Sequence, residues 1–123
     1  MSKANFNYDE ISDTLYVSFV PKAKATGIEL NNNILLRIDK DKRQAIGITF
    51  FDYSLLAQKA SFGPRSFPLT GLAELSEELK ELVLGIIQSS PVTDVLTLST
   101  YTPTYSESIP ITSLLETPVS VAA

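Results

Sequence analysis

Three runs in the first half of the chain alternate apolar and polar residues with a period of two. Leu15, Val17 and Phe19 alternate with Tyr16 and Ser18. Ile34, Leu36 and Ile38 alternate with Leu35, Arg37 and Asp39, and Ile46, Ile48 and Phe50 with Gly47 and Thr49. Successive side chains of an extended strand point to opposite faces, so each run predicts a strand with one consistently apolar face. Polar clusters separate the runs. Asn31-Asn32-Asn33 and Asp39–Arg43 supply the residues that tolerate tight turns, and both read as hairpin connections. A short strand over Thr26–Leu30 is expected to pair with Ile34–Asp39. Phe6–Tyr8 is expected to form an edge strand before the turn Asp9–Asp13. The first half therefore predicts an antiparallel β-meander of three to five strands.

The second face of these strands is mixed: Tyr16, Val20, Leu35 and Phe51 lie among Ser18, Arg37 and Thr49. A half-apolar face calls for a cover, which the C-terminal segment, a second copy of the chain or another protein would each provide.

Beyond the sheet, Asp52 is expected to cap a short helical stretch over Tyr53–Ala60. Ser61–Pro68, with two prolines and one glycine, reads as a loop that draws Phe62 and Phe67 toward the core. The strongest helical pattern runs from Gly71 to Gln88. Leu72, Leu75, Leu79, Leu82, Val83 and Ile86 share one face and Glu74, Glu77, Glu78, Lys80 and Glu81 the other, with Thr70 as N-cap. The stripe at 72, 75, 79, 82 and 86 fits packing on the sheet and also a short coiled-coil seam. The segment after Pro91 is rich in serine, threonine and proline. It carries a strand over Asp94–Tyr101 and a short one at Ile109-Pro110-Ile111, which the proline assigns to an edge. Asp13, Leu15, Val17 and Ser18 echo Asp94, Leu96, Leu98 and Ser99 at an offset of 81, and Ile28 and Leu30 echo Ile109 and Ile111. Shared β patterning accounts for this better than duplication. The expected fold is α+β: the meander packed with one main amphipathic helix, plus a C-terminal β-rich segment. Its parts are a sheet over residues 1–60, a Pro/Gly loop over 61–70, the helix over 71–90 and the Ser/Thr/Pro-rich segment over 91–123. Together they are expected to form one compact domain.

Composition narrows the chemistry more than it narrows the fold. Among 123 residues there is no histidine and no cysteine. The usual general base at neutral pH and the commonest ligands for transition metals are missing, as is any thiol nucleophile or disulfide. Ser61, Ser66 and Ser76 have no histidine to activate them. Gly63-Pro64-Arg65 lacks the glycine spacing of a phosphate loop. The net charge of −4 is unevenly spread: nine of the ten basic residues precede position 66, and Lys80 is the only one after it, against seven acids. An acidic half repels phosphate, which argues against nucleic acid and favours a basic protein partner. No apolar run is long enough for a membrane-spanning helix, and Met1–Asn5 carries no apolar signal core, so a cytoplasmic chain is expected.

Tyr8-Asp9-Glu10-Ile11-Ser12-Asp13-Thr14-Leu15-Tyr16-Val17 and Ala45-Ile46-Gly47-Ile48-Thr49-Phe50-Phe51-Asp52-Tyr53-Ser54 carry a resemblance. The segment Tyr8–Ser54 resembles a small bacterial family catalogued as domain of unknown function 2283, including Glu29 and the strand Ile34–Asp39 between the two motifs. Thr49 stands where that pattern has glutamate, and Lys42-Arg43 where it commonly has a glycine turn. The resemblance implies a small cytoplasmic β-rich domain and an antitoxin-like pairing with a small basic toxin. It implies no catalytic residue.

The carboxylates of Asp9, Asp13 and Glu29 are the weak candidates for a Mg²⁺ or Ca²⁺ site, with Asp39 and Asp41 nearby in sequence. Aspartates that flank strands more often cap turns through backbone N–H groups. No cofactor is expected. Tyr16, Leu35, Phe51, Leu72, Leu75, Leu79, Leu82 and Ile86 are the candidate contacts for a partner or a second copy. Three functions follow in order: a non-enzymatic protein-binding module, in its specific form an antitoxin-like partner of a small basic protein; a self-assembling structural or scaffold protein; and a carboxylate-dependent metal binder or enzyme.

Overall fold

The computed structural model describes residues 4–21, 23–57, 59–60, 63–64, 67–104 and 107–115. Phe62, Ser61, Arg65, Ser66 and the segment from Glu116 onward lie outside these residues. The alternating runs form a five-stranded antiparallel sheet: β1 (Asn5–Asp9), β2 (Thr14–Ser18), β3 (Thr26–Glu29), β4 (Ile34–Asp39) and β5 (Gln44–Phe51). Their order across the sheet is β1-β2-β5-β4-β3. The meander is thus β3-β4-β5, and the β1-β2 hairpin docks on its far edge, which makes β5 the central strand.

Each predicted turn closes by side-chain capping of backbone N–H groups. Asp9 Oδ1 accepts from Ile11 N at 3.0 Å, and Asp39 Oδ1 from Asp41 N at 3.0 Å and Lys42 N at 3.1 Å. Asn31 Oδ1 accepts from Asn33 N at 2.8 Å and Ile34 N at 2.9 Å. Both aspartate turns end four residues later on a left-handed residue, Asp13 and Arg43, each at φ 54°. Arg43 occupies the conformation that glycine adopts most cheaply, at a cost of about 1 kcal/mol.

Register divides the sheet into two faces. Leu15 and Ile34 lie opposite Phe50, Val17 and Leu36 opposite Ile48, and Ile28 opposite Leu36, all on the inner face. A bulge shifts the β4–β5 register between Arg37 and Ile38, leaving Ile46 extra, and the Ile46 carbonyl accepts from the N–H groups of both Phe19 and Val20. Val20, read as part of the mixed face, packs instead against the core.

The inner face is covered by the second half of the chain. After α1 (Tyr53–Leu56), the two-residue strands β6 (Lys59–Ala60) and β7 (Gly63–Pro64) pair with each other. A short strand β8 (Phe67–Pro68) leads into a 3₁₀ turn at Thr70–Glu74. The predicted helix is shorter than its apolar stripe. Leu75 is extended, and α2 spans Glu77–Ile87 with Ser76 as its N-cap, whose Oγ accepts from Leu79 N at 3.2 Å. Ser76 followed by Glu77 and Glu78 is a stronger helix start than Thr70, because it supplies a side-chain acceptor and acids for the positive end of the helix. With only eleven residues, α2 is too short for a coiled-coil seam. Val83, Ile86 and Ile87 pack into the same core as the inner face of the sheet, and Phe67 packs against it.

A 3₁₀ turn at Val92–Asp94 precedes β9 (Leu96–Thr104) and β10 (Glu107–Leu114). The second sheet has the order β8-β10-β9, so Pro110 lies in the middle strand and not at an edge. Its carbonyl accepts from Leu69 N at 2.9 Å, on the β8 side. In antiparallel pairing the N and the carbonyl of one residue point the same way, so the missing N–H of Pro110 also faces β8 and no β9 bond is lost. Topology does not repeat the echo at 81 residues: β9 and β10 pair directly, whereas β5 and β4 separate β2 from β3. None of the described helices is long and apolar enough to cross a membrane.

Candidate functional site

Two places gather chemistry. The first is where the β1–β2 turn meets the start of α1. The Asp13 carboxylate accepts from Tyr8 Oη at 2.6 Å, from Ser54 Oγ at 2.6 Å and from Ser54 N at 3.0 Å. Tyr53 N donates to the Asp13 carbonyl at 2.9 Å, and the Tyr53 ring meets Tyr8 edge-on at 5.7 Å. Asp52 stands at the N-cap position of α1 in a left-handed conformation, but its side chain makes no cap bond; Asp13, 41 residues before Ser54, does that work.

The electrostatics describe a staple. The Ser54 hydroxyl, the Tyr8 phenol and the Ser54 N–H hold the Asp13 carboxyl below its ordinary value of 3.8, against an opposing effect of burial. The bond to Asp13, burial and the Asp13 charge push Tyr8 up to about 12. A carboxylate stabilised in its charged form is a weak base, and a phenol held protonated is a weak acid. The arrangement locks two chain segments together and is poorly suited to proton transfer.

A pH dependence follows from these directions. The stability contributed by Asp13 is fully present above pH 3.8 and is lost as pH falls through its lower folded value. That from Tyr8 is present below pH 10.0 and is lost as pH rises toward 12. Ultraviolet titration should therefore show a phenol ionising near pH 12, and Tyr8→Phe should remove that step. A titration curve that Tyr8→Phe leaves unchanged near pH 12 would mean that the staple is absent in solution.

The second place is the outer face of the five-stranded sheet. Register lays it out in three rows: Asp9–Thr14–Phe51; Asn7–Tyr16–Thr49–Leu35–Glu29; and Asn5–Ser18–Gly47–Arg37–Gly27. Tyr16 is 45% exposed and Phe51 41%, while Leu35 is half-buried. A Cβ on Gly47 would lie 2.6 Å from the Val17 carbonyl oxygen and 2.9 Å from Arg37 Nη2. Glycine is thus the residue that lets the Arg37 guanidinium lie flat across the central strand. Arg37 Nε is buried there with no hydrogen-bond partner among the described residues.

The predicted contact residues fall into two groups. Tyr16, Leu35 and Phe51 do share this outer face. The stripe of α2 and the turn before it points inward: Leu72 is 1% exposed, Ile86 5%, and Leu75, Leu79 and Leu82 are half-buried against the core. Leu72 and Ile86 therefore have no surface to offer a partner. Leu79 and Leu82 line a groove of about 460 Å³ between Lys40 and Arg43 on one side and Ser76, Glu78 and Glu81 on the other.

The three carboxylates do not converge. Asp9 is engaged by Ile11 N and Ser12 Oγ, Asp13 by Tyr8 and Ser54, and Glu29 lies on β3 at the opposite edge of the sheet from β1. Among the described residues no group of three or more acids is placed to hold a metal ion. Sequence reasoning missed Ser54 as the partner of Asp13. It also missed Ile11, 99% exposed at the tip of the first turn, and Leu55, exposed on α1. An isoleucine flanked by Glu10 and Ser12 inside a turn was the available signal.

A family model described as a protein of unknown function (DUF2283) matches residues 5–54. The match covers the five-stranded sheet and the start of α1, so both halves of the Tyr8–Asp13–Ser54 staple and the whole outer face lie within it. No curated protein and no solved structure gives a match to the chain.

Proposed function

We propose that this chain is a non-enzymatic protein-binding module that docks its partner on the outer face of the five-stranded sheet. The observation that supports this most is the patch of Tyr16, Phe51 and Leu35 on a face that no described helix covers. Asp9 and Glu29 at the two edges, with Asp39 in β4, frame the patch in acid around the single Arg37. An apolar centre inside a charged rim is the usual anatomy of a protein interface, and acid at the rim suits a basic partner. Five strands spaced by about 4.8 Å, and rows about 17 Å deep, offer roughly 400 Å². One side of a standard interface covers about 800 Å², so the partner also reaches past the sheet, toward Ile11 and Leu55. Pairing with a small basic toxin is the specific form of this reading that fits the resemblance of residues 8–54.

Paired purifications test the idea. The tagged chain should retain a small basic protein in fixed ratio, and the double variant Tyr16→Glu, Phe51→Glu should lose it with its melting temperature little changed, because both side chains face water. Equal retention by the two proteins would exclude this face as the docking surface.

A further inference from the structure

The second sheet leaves one long edge open. β9, nine residues long, hydrogen-bonds to β10 on one side and to no other described strand. Since Pro110 and Thr112 turn their backbone groups toward β8, Ile111 and Ser113 turn theirs toward Ser99 and Thr97. The alternate residues Leu96, Leu98 and Thr100 must then direct both N–H and carbonyl away from the sheet. Edge strands are usually blunted by charge, by shortness or by cover. β1 ends on Asp9, and β3 has only four residues and continues into Leu30, whose carbonyl accepts from Gly71 N. Leu96–Thr104 is nine residues long, has no described strand on that side and carries no charged residue, and Pro103 interrupts it only near its far end.

We propose that this edge pairs with the same edge of a second copy of the chain, antiparallel about a two-fold axis through Leu98. That register sets Leu98 opposite Leu98, Leu96 opposite Thr100 and Thr97 opposite Ser99, with about six main-chain hydrogen bonds. The pairing is largely self-complementary in chemistry: Leu98 meets Leu98 and the hydroxyl residues Thr97 and Ser99 face one another, while Leu96 lies opposite Thr100. It is also neutral, so a chain of net charge −4 can approach its own copy here without bringing like charges together. Asp94 falls opposite Thr102 of the second copy and not opposite another acid. An acidic or a basic peptide finds no charge along this edge to recognise. Two three-stranded sheets become one of six.

Light scattering across a dilution series, with hydrogen exchange followed residue by residue, tests the pairing. The chain should run as a dimer whose Leu98 and Thr100 amides are protected, and that protection should fall on dilution. Thr100→Pro removes a donor that β10 does not use, and should give a monomer with unchanged circular dichroism. Should that variant misfold, the dilution dependence of exchange at Leu98 in the unaltered chain decides alone. A monomer at every concentration overturns the proposal. So does a dimer in which these amides exchange freely, or dilution-independent protection in a monomer, which would assign the edge to another segment of the same chain.

Discussion

Replacing Asp13 by alanine should lower the unfolding free energy by about 3 kcal/mol, a large share of the ~5–15 kcal/mol that holds a domain of this size. The carboxylate accepts three hydrogen bonds, from Tyr8 Oη, Ser54 Oγ and Ser54 N, and so ties the β1–β2 turn to the start of α1. Each bond to a charged acceptor contributes about 1.5–3 kcal/mol when well buried, and the partial exposure of this cluster reduces the sum. Alanine also fits poorly at φ 54°, where aspartate and asparagine are better tolerated. Asp13→Asn should therefore cost less than alanine, since it keeps one acceptor oxygen and the backbone preference. Denaturant unfolding of both variants checks the order. A loss below about 0.5 kcal/mol for alanine, within the range of ordinary surface substitutions, would show that water replaces the staple without penalty.

Gly71→Ala should cost about 4 kcal/mol, while Gly85→Ala should stabilise the chain by about 0.5–1 kcal/mol. The difference lies in what a Cβ would meet. At Gly71 it would overlap the Glu29 carbonyl oxygen and press on the Leu30 carbonyl carbon, both backbone atoms that cannot swing aside. The same close approach carries the bond from Gly71 N to the Leu30 carbonyl at 2.8 Å, which seats the 3₁₀ turn against the end of β3. Relieving the overlap means lifting that turn and with it Leu72, which is buried in the core. Gly85 sits in α2 with nothing within 4 Å of its would-be Cβ, so alanine brings only its better helix propensity. Thermal melts of the two variants should move in opposite directions. Equal shifts would mean that the turn at Thr70–Glu74 does not seat on β3 in solution.

The strands and their turns were legible because alternation and turn chemistry are local. Leu15, Val17, Ile34, Leu36, Ile48 and Phe50 could be assigned to one face from spacing alone. Their neighbours could not, since period two says which way a side chain points and is silent on which strand lies beside it. Hence the position of β5 between β2 and β4 had no signature. The apolar stripe predicts the helix but places its start six residues early, because Leu72 and Leu75 continue the stripe through a 3₁₀ turn and an extended residue. Pro110 misled for a related reason. The rule that keeps proline at edges concerns an N–H that a neighbour needs, and the two-residue β8 leaves that demand unmade. The staple was half visible: Asp13 stood out as an acid at a turn, but its partner Ser54 lies 41 residues away. The outer-face contacts Tyr16, Leu35 and Phe51 were legible as apolar residues at polar positions. Leu72 and Ile86 share that signal in sequence, because a helix stripe looks alike whether it meets a core or a partner.

The order of the two halves along the chain has a consequence for synthesis. The inner face of the sheet is complete once Phe51 has been made, but the residues that close it, from Leu69 through Val83, Ile86 and Ile87 to Leu96, come later. At ~5–20 residues per second, the roughly 40 residues after Ser54 take about 2–8 s to appear. Hairpins form within microseconds, so for that interval a finished sheet waits on the ribosome with its apolar side bare. Nascent chains halted when Ser54 has left the ribosome and Leu96 has not are the ones that would engage chaperones, and slowing synthesis in that interval would deepen the hazard.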